Sequence, residues 1–244
     1  MKERLDKFIA SQTALSRKEA QKAIREKRVT VNGAVVRTAD AKADTDTDTV
    51  ALDGAPLTYR KNVYYMMYKP AGVVSATEDR TERTVLDLLP PGLRRDGLFP
   101  AGRLDKDTTG LLILTDDGGY AHRMLSPKKH VVKHYIATLD RTPDEAVVKA
   151  FAAGITLGDG TVCKSGQAVL LGGTRVEAAI SEGKYHQIKR MFAALGYRVE
   201  ALERIRIGAL ALDPALSPGE VREMTDEEAE KVFGSEELGV RSEE

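Results

Sequence analysis

Tryptophan is absent, cysteine occurs once, at Cys163, and eight tyrosines and five phenylalanines are the whole aromatic complement. The core must therefore be built mainly from aliphatic side chains. One cysteine excludes an internal disulfide and a four-cysteine zinc site, and it fits a buried thiol in a reducing, cytoplasmic compartment. No apolar run approaches the roughly 18 residues that a membrane span needs. The N-terminal stretch MKERLDKFIASQ carries charges throughout, so no signal peptide is expected. There is no Walker motif and no GxGxxG, which leaves nucleotide cofactors without support. An excess of charge of either sign is also missing, since 37 basic residues balance 37 acidic ones. That balance conceals an asymmetry. Residues 1–37 hold ten Lys or Arg against four Asp or Glu, a net of +6, and residues 225–244 hold two against eight, a net of −6. A basic front end cancelled by an acidic tail points to a polyanionic partner.

The front end reads as two helices and a hairpin. Leu5, Phe8 and Ile9 have helical spacing, and Ser16 with Glu19 forms a capping box before a second helix whose buried stripe is Ala20, Ala23 and Ile24. Its other face carries Arg17, Lys18, Lys22, Arg25, Lys27 and Arg28, a platform for phosphates. Val29 and Val31 alternate, and Asn32-Gly33 supplies a type I′ turn. The tract TADAKADTDTDTVALD, residues 38–53, is expected to be a strand or loop closing this small domain at residue 57, with a linker over 58–62.

From Val63 the texture changes. VYYMMYKPAGVVSAT is an apolar strand broken by Pro70 and Gly72, LLILT a short apolar strand, DDGG a turn, YAHRMLSP a short helix and HYIATL a strand. TPDEAVVKAFAAGI predicts a helix with Thr142 as N-cap and Pro143 at its first position. YHQIKRMFAALG predicts an amphipathic helix ending at Gly196. Strands and helices mix without regular alternation, which predicts an α+β domain over residues 63–232. Residues 233–244 lack a core-forming pattern and are expected to be disordered.

The stretch GRLDKDTTGLLILTDDG, residues 102–118, poses a choice. Asp105, Asp107, Thr109, Gly110 and Asp116 fall at the first, third, fifth, sixth and twelfth positions of an EF-hand loop. Helices are missing on both sides: Pro100 and Gly102 precede it, residues 111–114 read as a strand, and Gly118 and Gly119 follow. Asp116 is also short for the bidentate last ligand. His130 and His134 lie four apart on a strand-like segment, where that spacing does not bring them together. No metal is therefore expected. A lone aspartate in such a loop is a turn cap. Asp105 is not alone: Arg103 adjoins it, Tyr135 lies on a later strand, and KYHQIKR puts Lys184, His186, Lys189 and Arg190 at the start of a helix.

These pieces resemble a known family. GRLDKDTTGLLILTDDG is similar to the catalytic motif of the pseudouridine synthase superfamily whose members carry Gly or His before Arg-Leu-Asp. SRKEAQKAIREKRVTVNG resembles the S4 RNA-binding domain, MMYKPAGVVSAT the family's strand with Lys-Pro-x-Gly, HYIATL its tyrosine motif and SEGKYHQIKRMFAALG its third motif. The likeness spans residues 1 to about 232, and YHQIKRM resembles the RsuA-type branch that acts on small-subunit (16S) rRNA. The resemblance implies an S4-like domain over residues 1–57, joined to a catalytic domain with a mixed, mainly antiparallel sheet flanked by helices. It implies an isomerase that needs no cofactor, working as a monomer on 16S ribosomal RNA or an assembling small subunit. Asp105 would be the essential carboxylate, Lys189 its paired cation, Tyr135 the ring stacked on uracil, and Arg103 the side chain filling the gap left by the extruded base. Gly102, Lys69, His186 and Arg190 would contribute to substrate binding. A large-subunit (23S) pseudouridine synthase and a non-catalytic S4 protein are the alternatives. Binding alone would not require Asp105, Tyr135 and Lys189 together.

Overall fold

The computed structural model describes residues 1–126 and 128–234. The chain divides into two compact units, one of residues 1–63 with 86–99, the other of residues 64–85 with those from 100 onward.

The first unit comprises β1 (Lys2–Arg4), α1 (Leu5–Gln12), α2 (Arg17–Arg25), β2 (Val29–Val31), β3 (Ala34–Val35), β4 (Lys42–Asp44), β5 (Val50–Leu52) and β6 (Ala55–Leu57). Helix α2 starts where Ser16 caps the Glu19 amide and the Glu19 side chain returns to the Ser16 amide. Its Ala20, Ala23 and Ile24 are buried with Leu5, Phe8 and Ile9 of α1 and Val29 and Val50 of the strands. Asn32 and Gly33 take φ of 50° and 79°, the left-handed pair that a tight hairpin needs. The strands form one sheet in the order β3-β2-β5-β6 and a separate antiparallel pair, β1-β4. The Asp-Thr tract is ordered by its own carboxylates. Asp44 and Asp46 hold the N-terminal ammonium at 2.8 and 2.5 Å, and Asp48 accepts from Asn32 at 2.8 Å.

The second unit is α+β. It contains β7 (Tyr64–Lys69), β8 (Phe99–Ala101), β9 (Thr109–Thr115), α3 (Gly118–Leu125), β10 (Lys133–Leu139), α4 (Glu145–Ala153), β11 (Gln167–Leu170), β12 (Arg175–Ile180), α5 (Gln187–Ala194), β13 (Val199–Ile207), β14 (Leu210–Ala211), β15 (Val221–Glu223) and α6 (Asp226–Lys231). The sheet runs β11-β12-β10-β13-β9-β7-β15, with β14 on β13 and β8 on β9. Along that order every pairing is antiparallel except β9–β13. Phe151 of α4 and Ile188, Met191 and Phe192 of α5 cover Ala137, Leu139, Val176 and Ala178 of the sheet.

Three local expectations change. Asp144, not Thr142, caps α4: its side chain accepts from the Ala146 amide at 2.9 Å, and the helix starts at Glu145. Gly118 and Gly119 open α3, because Asp117 accepts from the Tyr120 amide and caps it. Phe233, assigned to the tail, packs edge-on against Tyr120 at 5.4 Å and lies under the Arg123 guanidinium. The rest of the acidic tail, residues 235–244, lies outside the described residues. Among the described residues no helix is long and apolar enough to cross a membrane.

Candidate active site

The loop between β8 and β9 carries Gly102, Arg103, Leu104 and Asp105, and the segment after β7 holds it in place. The Ser75 hydroxyl donates to the Leu104 carbonyl at 2.9 Å and accepts from its N–H at 3.0 Å. The Gly72 amide donates to the Lys106 carbonyl at 2.8 Å. Lys69 is fully buried, and its ammonium donates to the carbonyls of Pro70, Thr108 and Lys106 at 3.0, 3.0 and 3.4 Å. Burial pushes the Lys69 amine down to about 8, with Asp107 and Asp105 opposing the shift. Expected against substrate, Lys69 instead ties the backbone of the aspartate loop, because carbonyl acceptors surround its head group.

Asp105 faces α5. Its carboxylate oxygens lie 3.4 Å from His186 Nε2 and 3.5 Å from Lys189 Nζ. Lys189 is shared with Asp107, whose Oδ1 is 2.5 Å away. That hydrogen bond, with burial opposing it, holds the Asp107 carboxyl below its ordinary range. Lys189 and His186 reach this point because His186 is the N-cap of α5, in left-handed conformation at φ 46° and ψ 37°. The ring nitrogen, the ammonium one turn on and the carboxylate thus converge.

Tyr135 comes from the middle of the sheet. The register between β10 and β13 slips between His134 and Tyr135, so that His134 pairs with Arg206 and Tyr135 with Arg204. Such an irregularity re-aims the strand locally. Tyr135 lines the same cleft as Asp105, Arg103, His186 and Thr108, a space of about 460 Å³ open to solvent. Arg103 is exposed and, among the described residues, its guanidinium has no hydrogen bond or ion pair. The Thr108 hydroxyl is buried and has no hydrogen-bond partner among the described residues. Gly102 adopts φ +90° beside Leu125 and shapes the loop without lining the cleft. Arg190 is engaged by Asp159 at 2.5 Å and by the Tyr185 carbonyl at 3.3 Å, and it too is not among the lining residues.

Lys184, named from sequence with the cations of KYHQIKR, lines the cleft, while Ser75, Asp107 and Thr108 take part in this arrangement without having been singled out for it from sequence. Thr108 stood inside the quoted aspartate motif and Ser75 inside VVSAT, but no periodicity marks the Ser75 hydroxyl as one that bonds a distant backbone. The two-ended metal loop fails on geometry. Asp105 and Asp116 flank the seven-residue β9, which spans about 23 Å of extended chain. Among the described residues no group of three or more His, Cys, Asp or Glu is placed to hold a metal.

In the first unit the basic residues differ from one another. Arg28 is bound by Asp53 at 2.6 and 2.8 Å, Lys22 lies 3.8 Å from Glu26, and Arg17 donates to the buried Asp6 at 3.2 Å. Lys18, Arg25 and Lys27 are exposed and make no ion pair among the described residues.

A carboxylate set between a lysine and a histidine, in an open cleft beside a tyrosine, on a mixed sheet that follows an S4-like unit, defines a class. The chain belongs to the RNA pseudouridylate synthase family, whose model matches residues 63–194, and the S4 domain model matches residues 3–46. Among its relatives is the ribosomal small subunit pseudouridine synthase A of Escherichia coli (strain K12), 45% identical over 231 residues, covering 94% of this chain and 99% of that protein. The uncharacterized RNA pseudouridine synthase YtzG of Bacillus subtilis (strain 168) is 44% identical over 229 residues, covering 92% and 96%. A crystal structure of a pseudouridylate synthase superposes with a TM-score of 0.67 at 42% identity, covering 94% of this chain and 99% of that one.

Proposed function

We propose that the protein converts one uridine of small-subunit (16S) ribosomal RNA into pseudouridine, in the cytoplasm and as a monomer. The observation that carries this reading is Asp105 held between Lys189 and His186 at the floor of an open cleft lined by Tyr135. The extended likeness to a relative whose name specifies the small ribosomal subunit favours that RNA over the large-subunit one. In this reading residues 1–57 hold the RNA, residues 58–62 connect, and residues 63–232 carry the chemistry.

The reaction is an isomerisation. The C1′–N1 bond breaks, the uracil turns, C5 bonds to C1′, and the C5 proton leaves while N1 regains one. Atoms and charge balance without an oxidant or a second substrate. The target base must first leave its stack, at a cost of a few kcal/mol. Arg103, free and exposed at the cleft, fills the gap, and Tyr135 receives the ring of the extruded base. Asp105 then acts on the nucleotide, by attack or by proton removal in a glycal route. Lys189 and His186 place compensating charge and hydrogen-bond donors beside it.

The test has two parts. Mapping pseudouridine in ribosomal RNA from cells with and without the protein should reveal one site in the small subunit that depends on it; a dependent site in large-subunit RNA would reassign the substrate. Asp105→Asn should abolish turnover while RNA affinity is retained, and pseudouridine formation by that variant would remove Asp105 from the chemistry.

A further inference from the structure

Tyr185 is 75% exposed, more than any other large apolar side chain among the described residues. It is nevertheless held in place. Its ring lies on the His186 imidazole with centroids 3.8 Å apart and planes 19° apart. His186 in turn is anchored at the N-terminus of α5, with Nε2 3.4 Å from Asp105. The Tyr185 carbonyl accepts from Arg190, whose other end is fixed on Asp159. One face of the tyrosine is thus pinned at the edge of the catalytic cleft and the other is bare.

We infer that the bare face of Tyr185 is a stacking site for the nucleobase adjacent to the target uridine. This rests on the reaction proposed above. Extruding a base breaks its stacks on both neighbours, and RNA-modifying sites recover that loss by stacking splayed bases on aromatic rings. A flat ring backed by a second ring is suited to a purine or pyrimidine face, and every base has one. The surroundings suit a polyanion, since Arg103 and Lys184 line the same cleft. Arg103 enters the space vacated by the target base, and Tyr185 supports the base beside that space. The two residues divide the work of holding an open stack.

The experiment uses the full-length enzyme and a small-subunit rRNA fragment containing the mapped uridine. Single-turnover rates are followed across enzyme concentration for wild type, Tyr185→Ala and Tyr185→Phe. Loss of one base–aromatic stack should raise the half-saturating concentration of Tyr185→Ala about 5- to 150-fold, while Tyr185→Phe behaves as wild type. Each neighbour of the target is then replaced in turn by an abasic residue. At one of these positions the difference between wild type and Tyr185→Ala should vanish. A side chain this exposed leaves the melting temperature unchanged on truncation, so a folding defect does not confuse the result. An unchanged half-saturating concentration for Tyr185→Ala shows a merely solvated ring and overturns the inference. A penalty that persists undiminished on both abasic RNAs overturns it as well. Wild-type enzyme that forms no pseudouridine in this RNA fails the proposed reaction instead, a separate outcome visible before any variant is compared.

Discussion

The Ser75 hydroxyl closes on both backbone groups of Leu104, the residue between Arg103 and Asp105, at 2.9 and 3.0 Å. Ser75→Ala leaves a buried N–H and a buried C=O unpaired. The expected cost is about 1–3 kcal/mol of stability, read by denaturant unfolding. The turnover rate at saturating RNA should fall roughly 10- to 100-fold, because a carboxylate displaced by a fraction of an ångström loses its geometry. Ser75→Thr restores the hydroxyl and should recover most of the rate. Equal rates for Ser75→Ala and wild type would mean that the loop holds its shape without this bond.

Gly110, the second residue of β9, has φ +101°, and an added Cβ there would sit 2.2 Å from the Arg204 carbonyl oxygen and 2.7 Å from its nitrogen. Both are backbone atoms of β13 and cannot swing aside. Gly110→Ala is expected to destabilise the protein by about 2–5 kcal/mol, from a disfavoured φ and from overpacking together. Thermal unfolding followed by circular dichroism checks it. A variant with the wild-type midpoint would show that β9 and β13 separate at little cost.

Asp6 is completely buried, with Arg4 at 3.0 Å, Gln21 at 2.8 Å and Arg17 at 3.2 Å on its carboxylate. Burial alone would raise its pKa, but the hydrogen bonds from Arg4, Gln21 and Arg17 outweigh it and hold the group at about 2. A depressed carboxylate contributes stability that is present above its ordinary pKa near 4 and is lost as pH falls towards 2. That contribution is about 2 kcal/mol. Asp6→Asn should therefore be less stable than wild type at neutral pH and should lose the steep decline between pH 4 and pH 2. Denaturant midpoints across pH 2–6 measure both, and parallel curves for the two proteins would refute the assignment.

The basic face of the first unit should divide into cations already paired and cations available to phosphate. Lys18, Arg25 and Lys27 have no ion pair among the described residues, whereas Arg28 is clamped by Asp53. Each lost phosphate contact lowers the slope of log affinity against log salt by about 0.7–0.9. Replacing Lys18, Arg25 and Lys27 with Ala should flatten the slope by about 2–3, and Arg28→Ala should barely change it. Binding isotherms over a salt series test the contrast. Equal effects for the two variants would show that pairing does not withhold Arg28 from RNA.

Signals confined to a few neighbouring residues were legible in the sequence. Ser16 and Glu19 sit three apart and cap α2, Asn32-Gly33 turns β2 into β3, and LLIL is buried as β9. Asp105 and Lys189 lie far apart in sequence, and the family motifs, not spacing, suggested that they meet. What stayed hidden depends on competition or on long range. Thr142 and Asp144 are both good caps two residues apart, and only folded geometry selects Asp144. Two glycines after Asp117 look like a turn until the cap on Tyr120 is formed. Lys69 entered the substrate-binding set through the family resemblance alone, and the carbonyls that surround its ammonium belong to Pro70, Lys106 and Thr108, two of them far along the chain. Residues 86–99, including the short helical turns Leu86–Leu88 and Pro91–Leu93, cluster with the first unit, which nothing in their composition announces.

The parallel contact between β9 and β13 amounts to two register pairs, Thr109 with Glu203 and Gly110 with Arg204. It is a seam. On one side lie β7 and β9 with the Asp105 loop, and on the other lie β10, β12 and β13 with Tyr135 and the helix bearing Lys189. Each side is antiparallel and completes most of its hydrogen bonding with partners of its own. The seam joins positions 94 residues apart, so the entropy of closing that loop is set against only two register pairs. Reactivity is thereby tied to one short join between two antiparallel blocks. Two well-formed sub-sheets would give most of the spectroscopic signal of the native protein and none of its turnover, and the return of activity on refolding reports the closing of one short join.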